Sequence, residues 1–358
     1  MFNDKIFIIA EAGINHNGKI NLAFELADQA LKAGADAIKF QIFDSNSLVK
    51  KNLKTVSYQR KGTLGVSNQY EMLKSLELSK KQFYILKKHC DDIGIEFIAT
   101  PFDCESLNFL IDLNIRKIKI SSGEVTNGPL IWKAAKSNSS LIISTGMANQ
   151  KEIKLCLSTI QHSLENKCEP RSLNEIIKLN KKLKNFKNLQ KRVSLLHCTS
   201  QYPTPYKNIN LNVIKSLKDR YGLKVGLSDH SEGTLIAPVS IALGARIIEK
   251  HITLDQNMLG PDHSSSIEPK EFKNMVINIK NIYESLGSKK IKKLKIENEI
   301  EKKTRQRIIA INDIPKGKKI NKSDLGTIRS SNGKVGNFIW DYIGKISEKD
   351  FKCGQVIK

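Results

Sequence analysis

The sequence lacks the features that would place a protein in a membrane or outside the cell. Uncharged stretches such as residues 234–245 stay well short of the ~20 residues that a membrane-spanning helix needs. The apolar run near the N-terminus is too short for a signal peptide. The six cysteines contain no C-x-x-C pair, which indicates reduced thiols rather than a disulfide framework. We therefore expect a soluble, cytoplasmic protein with no membrane partner.

Acidic residues are scarce relative to basic ones. Lysine and arginine number 59 against 36 aspartates and glutamates, which gives a formal net charge of +23. Such a charge suits either nucleic acid or an anionic small substrate. The lysines are spread along the whole chain, and no recognised nucleic-acid motif accompanies them. We therefore expect no nucleic-acid partner, and an anionic small molecule stays as the alternative.

Short runs rich in β-branched residues recur along the chain, each followed by a longer segment with helical spacing. This alternation predicts βα units around a parallel sheet. Roughly eight runs are present, the usual number for a closed (β/α)8 TIM barrel of the α/β class. The runs begin at Lys5, Asp36, Ile95, Arg116, Leu141, Val193, Leu223 and Arg246.

Composition divides the chain into three parts. Residues 1–286 carry the predicted barrel, residues 287–304 are too charged for a core and form a linker or exposed helix, and residues 305–358 form a small β-rich domain. Within the first part, residues 163–192 form a lysine-rich insertion between the fifth and sixth strands. We interpret this insertion as a helical excursion on the surface.

Polar side chains follow nearly every predicted strand. The carboxyl ends of parallel barrel strands lie on one face, so these side chains are expected to converge on one pocket. Lys39 and Lys119 lie inside strands, where they face either outward or into the pocket, and a buried ammonium requires an anionic partner. With the hydroxyl donors they indicate a site for a phosphate and a carboxylate. The hydroxyl donors at strand ends include Ser122, Ser144, Thr199 and Ser228.

His230 and His251 end consecutive strands, the seventh and the eighth. Two imidazoles with water and carboxylate oxygen nearby suit a divalent transition metal such as Mn²⁺ or Zn²⁺. Either histidine alone is better explained by a hydrogen bond to a loop carbonyl, but Glu11 and Asp262 nearby favour the metal. Glu124 and Asp262 lie on loops, where they either accept hydrogen bonds from sugar hydroxyls or cap the following helix.

These motifs together resemble a known family. The segments are "IAEAGINHNG", "AGADAIKFQ", "ATPFD", "KISSGE", "ISTGM", "LLHCTSQYPTPY", "GLSDHS", "EKHITLD" and "GPDHSSSIEP". In order and spacing they resemble the bacterial sialic acid synthase family, and the C-terminal segment is similar to that family's antifreeze-like (SAF, β-clip) domain. The resemblance implies a condensation of phosphoenolpyruvate with an N-acyl mannosamine, N-acetylmannosamine in the commonest case, which yields a nine-carbon nonulosonate and phosphate.

The resemblance also implies roles for individual residues. His230 and His251 match the ligands of a divalent metal, Mn²⁺ in the first place and Mg²⁺ or Co²⁺ as alternatives, and Glu11 matches the acid beside it. Glu124, Asp262 and Arg329 match sugar-binding residues, with Arg329 reaching the partner's site in a domain-swapped homodimer. The residues that match phosphoenolpyruvate contacts are Lys39, Thr100, Lys119, Ser122, Ser144, Tyr202 and Ser228.

Three alternatives stay open at this point. A sibling synthase would use 2,4-diacetamido-2,4,6-trideoxymannose to make N,N'-diacetyllegionaminate. A different chemistry would be an aldolase that forms a Schiff base on Lys39. A non-enzymatic alternative is a polysaccharide-binding or ice-binding protein, suggested only by the C-terminal domain, and it gives no reason for the polar ring on the barrel.

Overall fold

The computed structural model describes residues 5–54, 68–182 and 186–358. The chain divides into two compact units, Met1–Gly287 and Ser288–Lys358, named here the barrel unit and the C-terminal unit. The predicted linker, residues 287–304, falls almost entirely within the C-terminal unit.

Eight parallel strands form the barrel unit. Each strand pairs with the next along the chain, and the eighth pairs with the first, which closes the barrel. The predicted (β/α)8 fold is therefore confirmed. The strands are β1 (Phe7–Gly13), β2 (Ala37–Ile42), β3 (Glu96–Pro101), β4 (Lys117–Ile120), β5 (Ser140–Ser144), β6 (Val193–Cys198), β7 (Lys224–Asp229) and β8 (Ile247–His251).

Helices connect the strands and cover the outside of the barrel. The helix over Lys80–Ile93 shows how the sequence sets their bounds: Ser79 and Gln82 form a capping box at its start, and Gly94 ends it with φ of 81°. The described helices of this unit are α1 (Ile20–Lys32), α2 (Ser45–Leu48), α3 (Gln69–Leu76), α4 (Lys80–Ile93), α5 (Cys104–Asp112), α6 (Gly128–Lys136), α7 (Gln150–Glu165), α8 (Leu173–Lys182), α9 (Asn212–Tyr221), α10 (Ile236–Ala242) and α11 (Pro269–Ser285).

The barrel interior is layered, because side chains of a strand alternate between inside and outside. One apolar layer fills it: Ile9, Ala37, Ile98, Ile142, Leu196 and Ile247. Two residues further along the same strands come polar side chains: Glu11, Lys39, Thr100, Ser144, Cys198 and Glu249. The apolar layer separates these polar side chains from the amino ends of the strands, so they face the carboxyl-terminal end of the barrel.

The predicted insertion, residues 163–192, is only partly a surface excursion. Ser163 belongs to α7, and α8 packs against that helix. Ile176 and Phe186 are buried, so the segment contributes to the packed interior as well as to the surface. Residues 183–185 lie outside the described residues.

The C-terminal unit has its own small core. A short helix α12 (Asn298–Thr304) precedes an antiparallel pair of strands, β9 (Gln306–Ala310) and β10 (Leu325–Arg329). The buried apolar side chains are Ile308, Ala310, Ile314, Ile320, Leu325, Phe351 and Ile357. The expected β-rich domain is present, while its antifreeze-like assignment stays a prediction. Across both units, no helix within the described ranges is long and apolar enough to cross a membrane.

Candidate active site

A cavity of about 460 Å³ opens at the carboxyl ends of the barrel strands. Most of the predicted site residues line it, although they lie up to 251 positions apart in the sequence. The lining residues that the sequence predicted are Glu11, Lys39, Thr100, Lys119, Ser122, Ser144, Tyr202, Ser228, His230, His251 and Asp262.

Lys39 and Lys119 both face into the cavity. The sequence alone did not show whether they face inward or outward. Lys39 forms an ion pair with Glu11 and donates a hydrogen bond to Thr100 Oγ1 at 3.0 Å. Lys119 Nζ lies 3.4 Å from Glu249 Oε1, and Lys39 Nζ lies 3.8 Å from Glu249 Oε2. Each ammonium therefore has the anionic partner that its burial requires.

Glu249 also lines the cavity, as its position among the polar residues at the strand ends predicts, although the resemblance gave it no specific role. Its Oε1 accepts a hydrogen bond from Ser228 Oγ at 2.7 Å. Burial raises the pKa of this carboxyl, but Lys119 and Lys39 outweigh it and lower the pKa to about 2. Glu249 lies two residues before His251 on β8, and period-two alternation therefore places both side chains on the same face.

Two further carboxyls of the cavity, Glu11 and Asp262, have raised pKa values. Burial raises the pKa of Glu11, against the opposing effect of Lys39, and nearby Glu249 raises it further. Burial, followed by the charge of Glu11, raises the pKa of Asp262 to about 6. With a pKa of about 6, Asp262 can exchange a proton near neutral pH, as general acids and bases must.

His230 and His251 lie side by side, with ring centroids 5.6 Å apart. His230 Nδ1 faces the carbonyl oxygen of Thr199 at 2.8 Å, which leaves Nε2 for a ligand. His251 Nδ1 is buried and has no hydrogen-bond partner among the residues that the structure describes. Burial and the neighbouring His230 lower the pKa of His251 well below its usual value, so its imidazole is neutral, the form that binds metals.

The imidazole nitrogens of His230 and His251 suit a catalytic metal ion better than a structural one. Over the described ranges, no group of three or more histidine, cysteine or acidic side chains is arranged to hold a metal. An ion on His230 and His251 would therefore take its other ligands from water or substrate. Open coordination positions of that kind are typical of catalytic sites, whereas structural sites are closed by four protein ligands.

Hydroxyl groups next to Lys119 form the anion-binding side of the cavity. Ser122 Oγ accepts a hydrogen bond from the backbone N–H of Gly146 at 3.1 Å. Ser121 Oγ and Ser144 Oγ are buried without hydrogen-bond partners in the described part of the chain. Buried polar groups are normally paired, so unpaired hydroxyls beside an ammonium are suited to receive an anionic ligand.

Two predicted site residues of the barrel unit, Glu124 and Thr199, do not line this cavity. Glu124 is not among its lining residues; Glu124 Oε2 accepts a hydrogen bond from Asn127 Nδ2 at 2.6 Å, and Asn127 caps the start of α6. Glu124 therefore contacts the residue that caps α6 and is not itself the cap, and its role at a sugar site stays a prediction. Arg329 is the last residue of β10 in the C-terminal unit, and its role at a partner's sugar site stays a prediction.

One wall of the cavity is apolar, and the sequence prediction missed it. Three of its side chains directly follow β1, β2 and β3, and the others come from α2, the residue after it, and α3. The prediction considered only polar residues at strand ends, so it gave no signal for apolar ones. This apolar wall consists of Ile14, Phe43, Leu48, Val49, Leu73 and Phe102.

The fold and the site define a TIM-barrel enzyme whose cavity combines two buried lysines and several hydroxyl groups with two neighbouring imidazoles. More specifically, the chain belongs to the NeuB family, whose sequence profile matches residues 26–291. It is therefore a member of a family of nonulosonate synthases, and the expected enzymatic activity is confirmed at that level.

Similar proteins span nearly the whole chain. The N,N'-diacetyllegionaminic acid synthase of Campylobacter jejuni is 39% identical over 99% of this chain and 99% of its own length. The enzyme of the same name from Legionella pneumophila is 38% identical over 98% of this chain and 93% of its own length. Among solved structures, a sialic acid synthetase from Leptospira borgpetersenii is 34% identical, with a TM-score of 0.67, over 83% of this chain and 90% of that one.

Proposed function

We propose that this enzyme condenses phosphoenolpyruvate with 2,4-diacetamido-2,4,6-trideoxymannose to give N,N'-diacetyllegionaminate and phosphate. The sequence analysis placed N-acetylneuraminate synthesis first and this reaction second. The similarity to two N,N'-diacetyllegionaminic acid synthases over almost the full chain supports the second choice. The order of the two functions is corrected accordingly.

The observation that carries the proposal is that one cavity contains both the anion-binding side, with its lysines and hydroxyls, and the apolar wall. The proposed sugar has a methyl group at C6 and a second acetamido group at C4, where N-acetylmannosamine has hydroxyls. Burying one methyl or methylene group stabilises a complex by ~0.8 kcal/mol. A wall of Phe43, Leu73 and Phe102 therefore favours the more apolar sugar.

Phosphoenolpyruvate fits the opposite side of the cavity. Its phosphate and carboxylate need cations and hydroxyl donors, and Lys39, Lys119 and Ser144 supply them from neighbouring or facing strands. The lysine charges are balanced by Glu11 and Glu249 before the substrate binds. Preorganised groups of this kind stabilise charge that develops during a reaction without reorganising solvent.

In the proposed reaction, C3 of phosphoenolpyruvate attacks the open-chain aldehyde carbon and forms the new carbon–carbon bond. Water adds to C2, and the bond between C2 and the phosphate oxygen breaks, which releases phosphate. Glu11 would accept one proton of the water, the aldehyde oxygen would take up a proton to become a hydroxyl, and Asp262 would accept a hydrogen bond from a sugar hydroxyl. A divalent ion on His230 and His251, Mn²⁺ or else Mg²⁺ or Co²⁺, would polarise the aldehyde oxygen as a Lewis acid.

A homodimer is also part of the proposal, supported by the sequence resemblance at Arg329. If the arginine of one subunit completes the site of its partner, two different inactive variants should complement each other. Mixing Arg329→Ala and His251→Ala subunits should then restore part of the activity. A mixture as inactive as its components would contradict the shared site.

The test of the substrate is a comparison of kcat/KM for the two sugars with phosphate release as the readout. We expect 2,4-diacetamido-2,4,6-trideoxymannose to exceed N-acetylmannosamine by about tenfold or more, since one or two apolar groups in a pocket give ~1–3 kcal/mol of discrimination. Preference for N-acetylmannosamine would return the assignment to a sialic acid synthase. No phosphate release with either sugar would contradict the proposed function.

A further inference from the structure

A buried ion pair lies directly behind the two histidines. On β7 and in the following residue, Ser228 and His230 line the cavity, and Asp229 between them does not. On β8, Glu249 and His251 line the cavity, and Lys250 between them does not. Alternation along a strand thus turns Asp229 and Lys250 to the outer face of the barrel.

The contacts of this pair tie the two strand ends together. Lys250 Nζ lies 3.1 Å from Asp229 Oδ2 and also donates a hydrogen bond to the backbone carbonyl of Ser231. Asp229 Oδ1 accepts from the backbone N–H of Ser231 at 2.9 Å and from its Oγ at 2.6 Å. Asp229 and Lys250 are also partners in the strand register. The backbone on both sides of His230 is therefore fixed to the residue that precedes His251.

Stability alone is a poor explanation of these contacts. The side chains of Lys250 and Asp229 are only 1% and 2% exposed. Removing two charges from water costs about as much as their attraction returns, and well-packed apolar residues often stabilise such a position equally well. The hydrogen bonds to Ser231 restrain the loop that carries His230, which an apolar pair could not do.

We propose that Lys250 and Asp229 are positioning residues that hold His230 and His251 at the spacing a shared divalent ion requires. The inference rests on the proposed function for the identity of the ion. The placement of the two imidazoles can be measured without ion or substrate.

The experiment compares two double variants of the full-length chain. Lys250→Met with Asp229→Asn removes both charges together and leaves an oxygen acceptor for Ser231. The control, Lys117→Met with Glu96→Gln, removes an ion pair between neighbouring strands β4 and β3 at the opposite end of the barrel. Ser231→Ala is a milder variant, which removes one hydrogen bond and keeps both charges.

Each protein is measured in three ways. Electron paramagnetic resonance gives the Mn²⁺ affinity without substrate, and steady-state kinetics give kcat and KM. NMR of histidine-labelled protein gives the imidazole signals of His230 and His251. We expect the Lys250/Asp229 variant to bind Mn²⁺ ~10–100-fold more weakly, as is typical when a residue supporting a metal ligand is lost. Its kcat should fall with little change in the KM for phosphoenolpyruvate, and both imidazole signals should move. Ser231→Ala should change in the same direction by a smaller factor, and the control should match the wild type.

The outcomes separate this inference from the proposed function. A wild type that binds no Mn²⁺ or releases no phosphate overturns the proposed function, while the imidazole signals still decide the positioning role. Imidazole signals of the Lys250/Asp229 variant and of Ser231→Ala that coincide with the wild type would overturn the positioning role. Mn²⁺ affinity and kcat equal to those of the control would overturn it as well. If the Lys250/Asp229 variant does not fold, the imidazole signals, Mn²⁺ affinity and kcat of Ser231→Ala decide whether the positioning role holds.

Discussion

Asp262→Asn should stabilise the unliganded protein at neutral and alkaline pH while it lowers activity. Burial, with the charge of Glu11, raises the pKa of Asp262 from 3.8 to about 6. A carboxyl whose pKa is raised on folding contributes stability that is fully present below the unfolded value and is lost as the pH rises through the folded value. The wild-type protein therefore loses stability between pH 3.8 and about 6 through this group.

The magnitude follows from the size of the shift. A difference of about 2 pKa units at 1.36 kcal/mol each amounts to at most ~3 kcal/mol at pH 8, and roughly half of that at pH 5. Asparagine has no charge at either pH, so the variant avoids this cost. For a barrel of this size, 1 kcal/mol corresponds to roughly 2 °C in Tm, and the expected gain at pH 8 is a few °C.

Differential scanning calorimetry at pH 5 and pH 8 measures this effect, with Asp219→Asn as the control. Asp219 is an exposed carboxylate on α9, and its substitution makes the same change of charge without burial. The Tm gain of Asp262→Asn over this control should be larger at pH 8 than at pH 5. A gain that is the same at both pH values, or a loss at pH 8, would refute the reasoning.

Three further predictions concern the cavity. His251→Ala should keep the fold and lower kcat on the order of 100-fold, because the proposed ion would lose one of its two imidazole ligands; unchanged turnover would contradict the metal assignment. Borohydride treatment with pyruvate should leave Lys39 unlabelled, since this lysine is paired with Glu11; a label found by mass spectrometry would instead support the Schiff-base aldolase. Leu73→Asn should lower kcat/KM about tenfold for the diacetamido sugar and less for N-acetylmannosamine. Equal losses of kcat/KM for the two sugars would show that the apolar wall does not select the substrate. Leu235→Asn, on the exposed surface, is the control.

The barrel could be predicted because its signals are local. Each strand is a short run rich in β-branched residues, and each is followed by a segment with the spacing of an amphipathic helix. Parallel strands then place their carboxyl ends together whatever the details of packing, which is why eleven of the predicted residues meet in one cavity. No contact across the sheet had to be known for that result.

The parts that could not be predicted depend on contacts between distant residues. The sequence left the facing direction of Lys39 open, because only the strand register shows that Glu11 and Glu249 lie beside it. The hydrogen bond from Asn127 to Glu124 also could not be predicted, because it depends on the turn that brings the two side chains together. The apolar wall is built from loops and short helices, whose positions follow from tertiary packing rather than from local pattern.

The central claim is that one cavity joins phosphoenolpyruvate to a sugar aldehyde and releases phosphate by breaking the bond between C2 and oxygen. Phosphoenolpyruvate with ¹⁸O in the bridging position tests it directly, with 2,4-diacetamido-2,4,6-trideoxymannose as the second substrate and ³¹P NMR of the phosphate as the readout. We predict that the released phosphate retains the bridging ¹⁸O and that a nine-carbon acid forms in equal amount. Phosphate without the label, or phosphate release without the acid, would contradict the account.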